Sequence, residues 1–137
     1  MDECIFCKIV SGEIPCYKVY EDDDVLAFLD ISQTTPGHTL VVSKKHYKNL
    51  LYVPKDILAK VMGAAQRVAQ AQVASLGAKG VNIINNTNEI AGQTVMHFHV
   101  HVIPRYSNED ALRIEFLSNK IEKLNLPAIA EEISKKL

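Results

Sequence analysis

The chain has 137 residues, of which 47% are hydrophobic and 23% charged, enough for one domain with a core that needs no disulfide staples. Its 15 Lys and Arg face 16 Asp and Glu, a net charge of -1, which excludes the basic excess of a protein that grips a nucleic-acid polymer. No run of 18 apolar residues exists and the acidic start Met1-Asp2-Glu3-Cys4 is unlike a signal peptide, so the expectation is a cytoplasmic protein, not a membrane one, with Cys4, Cys7 and Cys16 reduced.

Ile5 to Val10 reads as one or two helical turns stopped at Ser11-Gly12. Tyr17–Tyr20 and Val25–Leu29 read as strands of a hairpin around the acidic turn Glu21–Asp24. A loop from Gln33 to Gly37 leads into a third strand, His38–Ser43. The clearest helix runs from about Pro54 to Leu76, with an apolar stripe at helical spacing and Gly77 as its stop. Gly80–Thr87 is a fourth strand, Asn88–Gly92 a loop, and His97–Ile103 a fifth strand ended by Pro104. The pattern weakens from Tyr106 to Leu126, and a last helix is expected from about Pro127 to Leu137. The whole predicts a single α+β domain over 1–137: a mainly antiparallel sheet of about five strands, one long helix packed on it, and short helices at both ends.

The informative segment is the fifth strand. His97, His99 and His101 alternate with Phe98, Val100 and Val102, so three imidazoles share a face, roughly 6.6 Å apart, and the other face is core. Desolvating three imidazoles has a cost that function usually explains. Two chemistries fit the row: metal ligation by neutral imidazoles, or nucleophilic attack by one ring while its neighbours hold anionic oxygens. Gly92-Gln93-Thr94 and Asn85-Asn86 add neutral donors, with His38 and Arg105 as candidate positive charges; that set suits a phosphate. Arg105 and Arg113 could also reach an extended polyphosphate, against the commoner role of solvated charge.

Cys4-x-x-Cys7 has the spacing by which one chain lends two thiolates to a tetrahedral zinc, and His46 and His97 are candidates for the other two ligands. His97 can serve only if the strand end turns away from His99. The rival readings are two ordinary small apolar cysteines, or a redox pair, which lacks the strand expected before it.

Gln93-Thr94-Val95-Met96-His97-Phe98-His99-Val100-His101-Val102-Ile103 resembles the signature of the histidine triad (HIT) superfamily, and the likeness extends through Ile5-Phe6, Lys8-Ile9, Phe28-Leu29-Asp30-Ile31, Pro36-Gly37-His38 and Lys44-Lys45-His46. The chain resembles a bacterial Hit protein with likeness to the Hint and Fhit branches; the last thirty or so residues find no firm counterpart, and without a Trp the branches recognised by a C-terminal Trp are not claimed. The resemblance implies a nucleotide-binding hydrolase or transferase acting at the α-phosphate, by way of a nucleotidyl group on His99. It implies that His101 and His38 support the phosphate and orient His99, and that Asn86, Gln93 and Thr94 contact the phosphate or leaving group. Asp30 would bind the ribose hydroxyls, and Ile5, Phe6, Ile9, Phe28 and Ile31 would hold the base, adenine sooner than a pyrimidine because an apolar slot stacks purines well. It also implies a structural zinc on Cys4, Cys7, His46 and His97, no required catalytic metal, and a homodimer through the long helix and a strand. A nucleotide-binding adaptor with negligible turnover would use the same residues.

Overall fold

The computed structural model describes residues 3–137; Met1 and Asp2 lie outside the described residues. The chain forms α1 (Ile5–Val10), β1 (Lys18–Glu21), β2 (Val25–Leu29), β3 (Thr39–Ser43), α2 (Lys55–Leu76), β4 (Gly80–Ile84), β5 (His99–Arg105) and α3 (Leu126–Ser134), with single 3-10 turns at Glu89–Ala91 and Ile121–Lys123. The five strands make one antiparallel sheet in the order β1-β2-β3-β5-β4. The expected α+β architecture is therefore present. Among the described residues no helix is long and apolar enough to cross a membrane.

Every residue of β3, and four of the five in β2, are buried, because both faces of the central strands are covered. On one face Val25, Ala27, Val41, Val100 and Val102 pack against Val61, Ala64, Ala65 and Val68 of α2. On the other, Leu26, Phe28, Leu40 and Val42 meet Phe6 of α1. The register pairs Val42 with His99 and Leu40 with His101, so the period-two rule sets both imidazoles on the α1 face.

Three strand boundaries differ by two or three residues from those the sequence suggests. β5 begins at His99, not His97, because Phe98 N–H leaves the ladder and donates to the Tyr47 carbonyl at 2.7 Å. Pro104 does not end β5. The β3 pairing stops at Val102, so the missing N–H of Pro104 faces no strand, while its carbonyl accepts from Thr35 Oγ1 at 2.6 Å. β4 stops at Ile84 rather than Thr87, since Asn85 turns its Nδ2 to the His99 carbonyl at 2.9 Å. Gly37 sits at φ +102°, where any L side chain is strained, and a Cβ there would stand 2.6 Å from Leu76 Cδ1 and 3.3 Å from Pro104 Cγ. That close approach clamps the loop before β3 against the end of α2.

Candidate active site

A cleft of about 460 Å³ opens on the α1 face of the sheet. Ile5, Phe6 and Ile9 of α1, Phe28 of β2 and the following Asp30 and Ile31 line one part of it; His99, His101, Thr94 and Asn86 line the other. These expected residues converge although they span nearly a hundred positions of chain. Ile14, Pro15, Cys16 and Tyr17 also line the cleft. The sequence carries no signal for them, because nothing local says that the loop after α1 folds over the slot.

The hydrogen bonds fix how the imidazoles are protonated. His99 is buried, and its Nδ1 lies 2.7 Å from the His97 carbonyl. A carbonyl only accepts, so Nδ1 carries the proton and Nε2 keeps its lone pair. His38 Nδ1 takes the Thr34 N–H at 3.3 Å; its Nε2–H therefore donates to His101 Nδ1 at 2.9 Å. His101 is left with its proton on Nε2. One ring is thus poised as a nucleophile and its neighbour as a donor, with ring centroids 5.3 Å apart. Asp30 Oδ2 stands 3.6 Å from His38 Nε2.

Burial sets the charge of the row. It holds His99 below the ordinary histidine value, against opposing pulls from the His97 carbonyl and Asp30. Burial, then the adjoining His99 and His38, pushes His101 down to about 4, and burial lowers His38 although Asp30 opposes it. All three rings are neutral at pH 7.

Two expected site residues sit elsewhere. Gln93 is buried outside the cleft lining. Its Nε2 donates to the Lys48 and Val95 carbonyls at 2.8 and 3.0 Å, and its Oε1 accepts the Asn88 N–H at 2.7 Å. The amide is spent on bracing the loop that carries Thr94. Arg105 adds no charge to the cleft: it pairs with Asp110 at 2.9 Å and donates to Asn82 Oδ1 and the Leu112 carbonyl.

Beside the cleft, Cys4, Cys7, His46 and His97 bring four ligand atoms within 4.8 Å of one another. Cys4 Sγ to His97 Nδ1 is 3.3 Å, Cys7 Sγ to His46 Nδ1 3.4 Å, and His46 Nδ1 to His97 Nδ1 3.2 Å. A tetrahedral zinc with bonds of about 2.3 Å to sulfur and about 2.0 Å to nitrogen separates sulfur from nitrogen by about 3.5 Å and nitrogen from nitrogen by about 3.3 Å. The donor set fits. His97 Nε2–H donates to the Ser43 carbonyl at 2.6 Å, which turns the Nδ1 lone pair toward the cysteines, as a metal-binding histidine requires. The difficulty over His97 resolves because that residue precedes the ladder and its ring leans to the cysteines.

Fold and cleft together define a small α+β domain with a histidine row at the wall of a half-apolar cleft, and comparison with known proteins says to which family it belongs. The HIT domain model matches residues 11–108, and the chain belongs to the HIT family. A HIT family protein of Bacillus anthracis is 44% identical in a solved structure, with TM-score 0.92 and coverage of 99% of this chain and 98% of that one. A zinc-bound histidine triad family protein of Mycobacterium smegmatis is 39% identical, with TM-score 0.77 and 98% coverage of both. An adenosine 5'-monophosphoramidase of Schizosaccharomyces pombe is 38% identical over 134 residues, 98% of each chain.

Proposed function

We propose that the protein is a nucleotide hydrolase or transferase that cleaves at the α-phosphate of a purine nucleotide, either a nucleoside phosphoramidate or a dinucleoside polyphosphate. The observation that carries this reading is the free Nε2 of His99 at the wall of a cleft whose other end is an apolar slot. The base stacks among Ile5, Phe6, Ile9, Phe28 and Ile31, and Asp30 accepts from the ribose hydroxyls. His99 Nε2 attacks phosphorus; a P–N bond forms as the bond to the leaving group breaks. The Nε2–H of His101 and the Thr94 hydroxyl donate to the phosphoryl oxygens, with Asn86 beside them and His38 holding the tautomer of His101. Water then attacks phosphorus, His99 leaves, and the mononucleotide is released. The phosphoramidase activity of the Schizosaccharomyces pombe relative supports adenine and a phosphoramidate as the first substrate to assay. Steady-state rates on adenosine phosphoramidate and on diadenosine polyphosphates test the reading; no turnover on either defeats it.

Two further expectations follow from the same roles. Because burial depresses the pKa of His99, its neutral form persists as pH falls below 6.5. The acid limb of kcat/KM is expected to lie below pH 6.5, read from a pH–rate profile, and a midpoint at or above 6.5 would contradict it. Asp30→Asn is expected to weaken adenosine monophosphate binding roughly 10-fold by calorimetry, the scale of a charge-assisted hydrogen bond.

Cys4, Cys7, His46 and His97 would hold a structural zinc. Bound there, the ion supplies a cross-link between α1 and the segment entering β5, and His97 also holds His99 through its carbonyl. The zinc-bound Mycobacterium smegmatis relative and the fit of the donor set support this assignment. We also propose a homodimer across β4, which is an unpaired sheet edge, and the outer face of α2, where Met62, Val73 and Leu76 are exposed.

A further inference from the structure

α2 buries Val61, Ala64, Ala65, Val68 and Gln72. Four of these five are apolar; the fifth is an amide, 5% exposed, in the same stripe. A buried amide needs partners. Gln72 Nε2 donates to the Gly37 carbonyl at 3.0 Å and to the Val102 carbonyl at 3.1 Å. Both partners only accept, so they fix which end of the amide is nitrogen. Oε1 is left over, the one buried side-chain nitrogen or oxygen among the described residues with no hydrogen-bond partner. An orphaned acceptor costs stability, and an unbranched apolar side chain such as methionine would fill the stripe without that cost. The amide therefore has to be explained by what it holds.

Gly37 precedes His38, and Val102 follows His101. The β3–β5 ladder pairs Thr39 through Val42 with Val102 through His99. His38 stands just outside that ladder, so strand pairing alone does not set its ring against His101. Yet the bond from His38 Nε2–H to His101 Nδ1, at 2.9 Å, is what leaves the His101 proton on Nε2. We propose that Gln72 is a positioning residue for the histidine row. From the α2 face of the sheet its amide pins the Gly37–His38 peptide and the carbonyl one residue beyond His101, and so keeps His101 in the tautomer that donates to the phosphoryl group. A second tie, Thr35 Oγ1 to the Pro104 carbonyl at 2.6 Å, holds the same loop to β5 further along. Loss of the Gln72 amide therefore loosens the His38–His101 pair without releasing it.

The role rests on the phosphoryl chemistry proposed above and deepens it. Gln72→Met removes both donors and the orphaned oxygen while keeping the side chain's length, and Gln72→Leu serves if that chain does not fold. The melting temperature is expected to stay within about 5 °C of the parent, since the Gly37 carbonyl still accepts from Thr39 Oγ1 at 2.8 Å. The kcat for adenosine phosphoramidate is expected to fall about 10-fold, the scale of losing a group that orients a reacting one, with adenosine monophosphate affinity unchanged by calorimetry. Nitrogen-15 NMR of the imidazoles gives the direct readout: His101 of the parent should show a protonated Nε2 and a bare Nδ1, and in the variant both signals should move toward the average of exchanging tautomers. Val61→Ala, in the same stripe but far from either carbonyl in sequence, is the comparison; it should lower the melting temperature further yet keep the imidazole spectrum and kcat. A Gln72→Met protein with the parent's imidazole spectrum or the parent's kcat overturns the positioning role, as do equal losses in Val61→Ala. A parent that turns over no nucleotide defeats the phosphoryl chemistry instead, and the imidazole spectra then decide by themselves whether Gln72 sets the tautomer.

Discussion

His99→Ala is expected to lower turnover of adenosine phosphoramidate by more than about 10⁴-fold, the range that removal of a catalytic nucleophile reaches, while the affinity for adenosine monophosphate stays within a few-fold of the parent. The split follows from geometry. In the proposed binding mode the base lies between α1 and the β2 end and the ribose meets Asp30; of these groups Phe6 touches the imidazole of His99. The imidazole contributes only the bond to phosphorus, so its loss acts on kcat and not on nucleotide binding. His99 is in edge contact with Phe6, ring centroids 5.0 Å apart, and the small cavity left by alanine accounts for the few-fold margin. Calorimetric titration with adenosine monophosphate checks one half and a single-turnover assay the other. Trapping of acid-labile label on His99 of the parent protein during turnover completes the test; a His99→Ala protein that still turns over near the parent rate removes the covalent mechanism.

The histidine row was readable in the sequence because a period of two on a strand fixes which side chains share a face. The alternation of His99 and His101 with Val100 and Val102 required only local geometry. What the alternation could not reveal is where the ladder begins. Residues 97 to 99 keep the same rhythm, yet Phe98 pairs with Tyr47, fifty-one positions away, and that long-range bond frees His97 to turn toward the cysteines. Gln93 shows the same gap from the other side. A glutamine beside the row has the chemistry of a phosphate ligand, and only the carbonyl of Lys48 shows that its amide is committed to the loop. The C-terminal helix was legible from the four-residue spacing of Ile129 and Ile133, and the structure forms it over Leu126–Ser134, but a period of 3.6 says only that a face is apolar, not what covers it.

Loss of the metal is expected to cost both stability and nucleotide affinity. Cys4→Ser should abolish stoichiometric zinc, measured by elemental analysis, and lower the melting temperature by about 10 °C, since a ligand present at several hundred times its Kd stabilises by about 3 kcal/mol and a domain of this length loses about 0.3 kcal/mol per degree. Chelation of the parent protein should move its melting temperature to nearly the same place. Without the ion, burial and the bond with Cys4 push the Cys7 thiol up to about 11. Zinc must displace that proton, so metal affinity should weaken as pH falls. The second effect comes from shared residues. Cys4 and Cys7 flank Phe6, whose ring walls the base slot and meets His97 and His99 at 5.9 and 5.0 Å. His97 would give its ring to the metal through the Nδ1 that faces Cys4, while its carbonyl accepts from His99 Nδ1. Freeing α1 and His97 therefore loosens the slot and the ring orientation together. Adenosine monophosphate should bind the zinc-free protein more weakly and, by linkage, should tighten zinc binding by the same factor. A metal-free protein that is folded, melts where the parent does and binds nucleotide equally well would show that the four ligands hold no structural ion.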